Sequence, residues 1–135
     1  MTSFLQPLLH KSSGNCTLVN GRSGLVIADQ LIGAFDSASR RTGLLRHGAF
    51  PSGSAMIIAP SNAVHTFFMK FPIDLAFVGR DGRVRKIREA VRPWRMSAAL
   101  GAYAVIELPA GVLRRTNTLV GDTLIVQPSQ RSDVS

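Results

Sequence analysis

The segment His65-Thr66-Phe67-Phe68-Met69-Lys70-Phe71-Pro72-Ile73-Asp74 sets one imidazole and one carboxylate into an otherwise apolar run. A histidine changes charge near neutral pH, and a carboxylate among apolar neighbours must find donors or a cation. Two chemistries suit such a pair. In the leading one, His65 and Asp74 line a pocket that binds a small anion or a partner peptide. Arg40 and Arg95 then offer guanidinium donors to a carboxylate or phosphate, and Trp94 offers a ring for stacking. In the alternative, Asp74 or His65 is the general base of a hydrolase or isomerase, with an arginine stabilising developing charge. Each residue also has a structural role open to it. Asp74 beside a turn can accept backbone amides, and Trp94 can cap the core with Arg95 across its ring. Glu107, in a strand that reads as buried, needs a cation, for which Arg40 is the candidate.

No glycine-rich phosphate loop, nucleophile elbow or metal-ligand spacing occurs, and the histidines at 10, 47 and 65 are scattered, so no metal or cofactor is expected. The formal net charge is +8, mostly from arginine. Such a balance attracts anions without naming one. A third reading uses Arg80, Arg83, Arg85, Lys86, Arg88, Arg92 and Arg95 as a phosphate track for non-specific nucleic-acid binding. It ranks last, because no aromatic interleaves that run before Trp94 to stack on a base.

The 135 residues suit one domain, expected over residues 1–127 with a flexible polar tail over 128–135. Cys16 is the single cysteine, which excludes an intramolecular disulfide and a thiolate zinc cluster. The stretch before it lacks a basic leader and an unbroken apolar core, and no run approaches the roughly 18 apolar residues of a spanning helix. A soluble, cytoplasmic protein without membrane insertion is expected.

Turn signals cut the chain into short, β-branched segments, so the expected fold is mainly β (α+β): a β-barrel-like or covered antiparallel sheet with one or two short helices. Asn20-Gly21 separates two strands of an opening hairpin. Ala55 to Ala59, Ala104 to Leu108 and Thr123 to Val126 read as strands. One helix is expected from Asp36 or Ser37 to about Leu45, and a shorter one from Gly111 to Thr116 with Asn117 as its left-handed cap. Asp81-Gly82 should turn Ile73 to Gly79 back onto Arg83 to Arg88, with Arg80 facing Arg83. Val84 and Ile87 cannot share a face of a regular strand, which predicts a bulge or a twisted exposed ribbon. Phe71-Pro72 cannot take a tight primed turn, so a cis peptide or a wide bend is expected there. If Lys70 faces Ile73 across that turn, His65, Phe67 and Met69 share a face with Asp74, Ala76 and Val78.

An ordered set of motifs resembles the bacterial and archaeal family called domain of unknown function 192. Arg40-x-x-Gly43-Leu44, Phe68-Met69-Lys70, Pro72-Ile73-Asp74, Asp81-Gly82-x-Val84, Glu107-Leu108-Pro109-Ala110-Gly111 and Gly121-Asp122 follow in family order from about Leu25 to Val126. Many relatives have a longer connection between the Met-Lys and Pro-x-Asp elements, and relatives of the shorter type share His65-Thr66-Phe67. The resemblance implies a compact mainly-β domain with a short helix. It marks Gly43, Met69, Pro72, Gly82, Glu107, Gly111, Gly121 and Asp122 as motif positions, and it implies no activity.

Overall fold

The computed structural model describes residues 3–9, 16–34, 50–67 and 69–129. Among the described residues, ten strands and two short helices follow one another as α1 (Gln6–Leu9), β1 (Cys16–Asn20), β2 (Val26–Ala28), β3 (Gln30–Ala34), β4 (Ser54–Ile58), β5 (Ala63–His65), β6 (Ile73–Val78), β7 (Val84–Val91), β8 (Met96–Ala98), β9 (Ala104–Pro109), α2 (Val112–Arg115) and β10 (Leu124–Pro128). The expected mainly-β class holds, in its covered-sheet form. A five-stranded sheet runs β3-β4-β9-β6-β7, a three-stranded sheet runs β10-β1-β2, and β5 and β8 form a separate ribbon.

β6 organises the rest. All six of its residues are buried, the pattern of a strand covered on both faces. Ala76 and Val78 enter one core with Ile106, Leu108, Val112 and Leu113, which the three-stranded sheet closes through Leu18, Ile27 and Leu124. Ile73, Leu75 and Phe77 enter a second core with Met56, Met69 and Val105, to which the ribbon contributes Val64. The molecule is thus layered, with the ribbon on one side of the large sheet and the three-stranded sheet on the other. Transferring a side chain of this size from water contributes about 1.5–3 kcal/mol, so a strand buried on both faces anchors the fold.

Several expected elements form. β1 and β2 make the opening hairpin, with a bulge between Leu18 and Val19. α2 ends at Thr116, and Asn117 has φ 54°. The β6–β7 hairpin carries the expected bulge, since Phe77 faces Lys86 while Val78 faces Val84. Its turn is wider than expected. Gly79 donates to Arg83 O at 2.9 Å, and Gly82 donates back to Gly79 O at 2.9 Å, so Gly79 and not Arg80 stands opposite Arg83. Gly82 has φ +89°, and a Cβ there would lie 2.6 Å from Leu124 O, so only glycine fits.

The hairpin expected across Phe71-Pro72 does not form. β6 pairs with β9 over six positions on one edge and with β7 on the other, which leaves it no edge for residues 65–69. Residues 66–67 and 69–72 belong to no strand, and the cis peptide lies at Ala59-Pro60 instead. Met69 therefore sits with Ile73, Leu75 and Phe77, on the face opposite to the one expected. A parallel β3–β4 pair was also not foreseen. Pro128, placed in the expected tail, closes the ladder opposite Cys16, and Ser129 Oγ lies 2.7 Å from Thr17 Oγ1. The helix expected over 36–45 lies outside the described residues.

Candidate functional site

Asp74 is fully buried, and its carboxylate accepts three backbone amides: Ala90 N at 2.8 Å on one oxygen, Gly111 N and Leu113 N at 3.0 Å on the other. Ala90 is the bulged residue of β7, held at φ 49° between the Ile73–Val91 and Leu75–Arg88 pairs. A bulge leaves one amide without its ladder partner, and the carboxylate supplies the acceptor. Its other oxygen fastens the start of α2 to the sheet. The side chain points to the same face as Ala76 and Val78, away from the ribbon that carries His65. His65 and Asp74 are therefore not brought together.

Thr66 builds a different constellation. Buried beside the ribbon, it exchanges backbone bonds with Arg95 and Trp94: Thr66 N donates to Arg95 O at 2.8 Å, and Trp94 N donates to Thr66 O at 3.1 Å. Its hydroxyl donates to Arg92 O at 2.7 Å and accepts Arg95 N at 2.9 Å. These bonds hold the Arg92-to-Arg95 loop in place although Trp94 has φ +66°, a conformation an L-residue adopts only at a cost. The strained residue carries the largest exposed ring. Trp94 is 57% exposed and stacks on Phe67 at 5.6 Å between centroids, and Phe67 in turn meets His65 at 4.7 Å. Phe67 N donates to His65 Nδ1 at 3.3 Å.

The three rings border an exposed strand face. Ala63 pairs with Ala98 and His65 with Met96, so these four side chains share the outer face while Val64 and Ser97 turn inward. All four are exposed, Met96 at 73%. A shallow, mostly apolar cavity of about 360 Å³ is lined by Ala63, Val64, His65, Met96, Ser97 and Ala98. Cations rim it. Lys86 Nζ donates to Ala98 O at 2.8 Å, Arg88 reaches Ser97 Oγ at 3.4 Å, and Arg92 and Arg95 are exposed on the stapled loop. Arg95 turns its guanidinium to the carbonyls of Pro93 and Trp94.

The other singled-out residues fall elsewhere. Arg40 and Gly43 lie outside the described residues, so an Arg40–Glu107 pair has no described geometry. Glu107 is fully buried and shares a sheet face with Met56 and Leu75. Pro72 is exposed. Gly82, Gly111 and Gly121 all take positive φ at turns. Asp122 anchors a polar cluster. It accepts Arg22 Nε at 2.7 Å, Asn20 Nδ2 at 2.9 Å and Leu119 N at 2.8 Å. The Arg22 hydrogen bond, followed by those of Asn20 and Leu119, holds its carboxyl well below the usual carboxylate range, against the opposing effect of desolvation. Among the described residues no group of three or more His, Cys, Asp or Glu could hold a metal. No described helix is long and apolar enough to cross a membrane.

Sequence reading did not single out Thr66 or Met96 as site residues. The His65-x-Phe67 spacing was a usable signal, since alternate residues of an extended segment share a side. The pairing that brings Met96 to His65 spans about thirty residues and left no local mark.

Across residues 22–126 the chain matches the family model of domain of unknown function 192, described as "Uncharacterized ACR". A UPF0127 protein of Thermococcus sibiricus is 36% identical over 63 residues, a stretch that covers 46% of this chain and 40% of that relative. Two solved structures are similar. A Sinorhizobium meliloti 1021 protein, described only provisionally as a transcription regulator, superposes with a TM-score of 0.69 at 23% identity over 83% of this chain and 92% of its own. A Novosphingobium aromaticivorans protein of unknown function gives a TM-score of 0.65 at 27% identity over 82% of each chain. The first of these likenesses speaks to the fold alone.

Proposed function

The chain belongs to the domain of unknown function 192 family, and we propose that it is a binding module that takes an acidic partner peptide on the outer face of the β5–β8 ribbon. The observation that carries this reading is the exposed apolar face of His65, Met96 and the alanines, set beside the Phe67–Trp94 stack on a ribbon to which Lys86 and Arg88 bond. Rigid aromatics, methionine and arginine are the side chains enriched where proteins meet. Exposed apolar side chains of this size favour peptide side chains over nucleobases. Phe67 already packs against two neighbouring rings, His65 and Trp94, which leaves less of it for a base to stack on. An acidic segment complements Arg88, Arg92 and Arg95 and the +8 net charge. General-base catalysis by Asp74 lacks support, because both its oxygens are occupied by backbone amides on the other side of the sheet.

The test begins with selection of linear peptides from a random library on the full chain. Trp94, the single tryptophan, then reports affinity by its emission. Selected peptides should combine acidic and bulky apolar residues. Met96→Asp should weaken them at least tenfold, about 1.4 kcal/mol, without changing the melting temperature of the chain. Failure to enrich any peptide, equal binding by Met96→Asp, or tighter binding of single-stranded oligothymidine would each overturn the proposal.

A further inference from the structure

We propose a second, separate site: a receptor for the oxyanion of a small organic molecule in the cleft between the Pro60-to-Asn62 turn, the β6–β7 turn and the start of β9. The cleft measures about 510 Å³ and is lined by polar groups that include Asn62, Arg80 and Tyr103. That volume falls in the range of about 300–1,000 Å³ typical of small-molecule sites.

Arg80 is the residue on which the site turns. Its guanidinium carbon lies 4.2 Å from the centroid of the Tyr103 ring. Stacking uses the flat face of the guanidinium and leaves its in-plane N–H donors pointing outward. Among the described residues no carboxylate forms an ion pair with Arg80. The adjacent Asp81 instead accepts Arg83 N at 3.0 Å. A flexible cation is thereby held in one place with its donors unspent, the arrangement that lets arginine grip a carboxylate or phosphate with two parallel bonds. The backbone around it is fixed as well. Arg80 O accepts Phe4 N at 2.9 Å, Tyr103 N donates to Val78 O at 2.8 Å, and Tyr103 O accepts Ser61 N at 2.9 Å. Asn62 and Ser61 border the opening and supply neutral polar groups for the part of the ligand that carries no charge. Phosphate monoesters and small carboxylates share the required chemistry. No residue lines both this cleft and the ribbon cavity, so the site survives or falls independently of the peptide reading.

The full chain, isotopically labelled, is titrated with inorganic phosphate, glucose 6-phosphate and malonate at a constant ionic strength of about 0.15 M. The arginine side-chain N–H signals and the Tyr103 ring signals are followed. Saturable shifts at Arg80 and Tyr103 are expected, with at least one of the organic anions binding more than fivefold tighter than phosphate. Arg80→Gln, which retains an amide and the stem, should reduce affinity at least tenfold, and Arg83→Ala should leave it unchanged. The wild-type titration needs no variant to fold. Linear, unsaturated shifts spread equally over Arg80, Arg83 and Arg85 would mean screening of surface charge and would overturn the site. So would an Arg80→Gln variant that binds as the parent does.

Discussion

Replacing Asp74 by asparagine changes one oxygen into an NH₂ group and almost nothing in shape. Because the two carboxylate oxygens serve three amides, the asparagine oxygen can face either Ala90 N or the pair Gly111 N and Leu113 N. Keeping the pair turns an N–H toward Ala90 N, loses one charge-assisted bond and leaves the other two as neutral ones. A bond to a charged group contributes about 1.5–3 kcal/mol, and a neutral one about half as much. The substitution should therefore cost about 3–6 kcal/mol, a large part of the roughly 5–15 kcal/mol that holds a domain folded. For a chain of this length that is a fall in Tm of about 10–20 °C. Urea unfolding should show the lower midpoint at an unchanged slope. Peptide binding to the ribbon, measured well below the transition, should stay within twofold of the parent. A variant that melts with the parent would refute the structural role given to the carboxylate. One that keeps its stability but loses peptide binding would place Asp74 in the site.

Asp122→Asn should destabilise at neutral pH, and the gap from the parent should narrow as pH falls. The folded carboxyl titrates below its unfolded value, so its contribution is present above about pH 4 and is lost progressively below it. Thermal melts of both proteins between neutral pH and the acid limb check this, and a gap independent of pH would contradict it. Thr66→Val keeps the side-chain shape but removes the hydroxyl that donates to Arg92 O and accepts Arg95 N. A loss of about 1–3 kcal/mol is expected, together with red-shifted Trp94 emission as the loop detaches. Unchanged emission would show that the loop holds itself.

Much of the strand inventory was legible because it is written locally. β4, β9 and β10 are short apolar runs bounded by Pro or Gly, and the three-residue spacing of Val84 and Ile87 announced the bulge at Arg85. α2 was legible from its flanking glycine and Asn117. Partner choice was not. The run from His65 to Asp74 reads as a hairpin in isolation, yet β6 has two longer neighbours, β7 and β9, whose ladders outcompete a short local return. The same non-local pairing hid the site. His65 was singled out for its chemistry and Trp94 for its size, but their link through Phe67 depends on Thr66 stapling a loop almost thirty residues away. Asp74 was legible as a carboxylate that needed partners. That those partners are backbone amides followed from the bulge at Ala90 and the start of α2, both of which reach it from other parts of the chain.

The most direct measurement is a chemical-shift map of the labelled full chain titrated with the best selected peptide. The largest perturbations should fall on residues 63–67 and 94–98, with the turn at 80–83 and helix α2 silent. Perturbations centred on the basic β6–β7 hairpin or on α2, with the ribbon unmoved, would contradict the assignment of the His65–Met96 face as the binding surface.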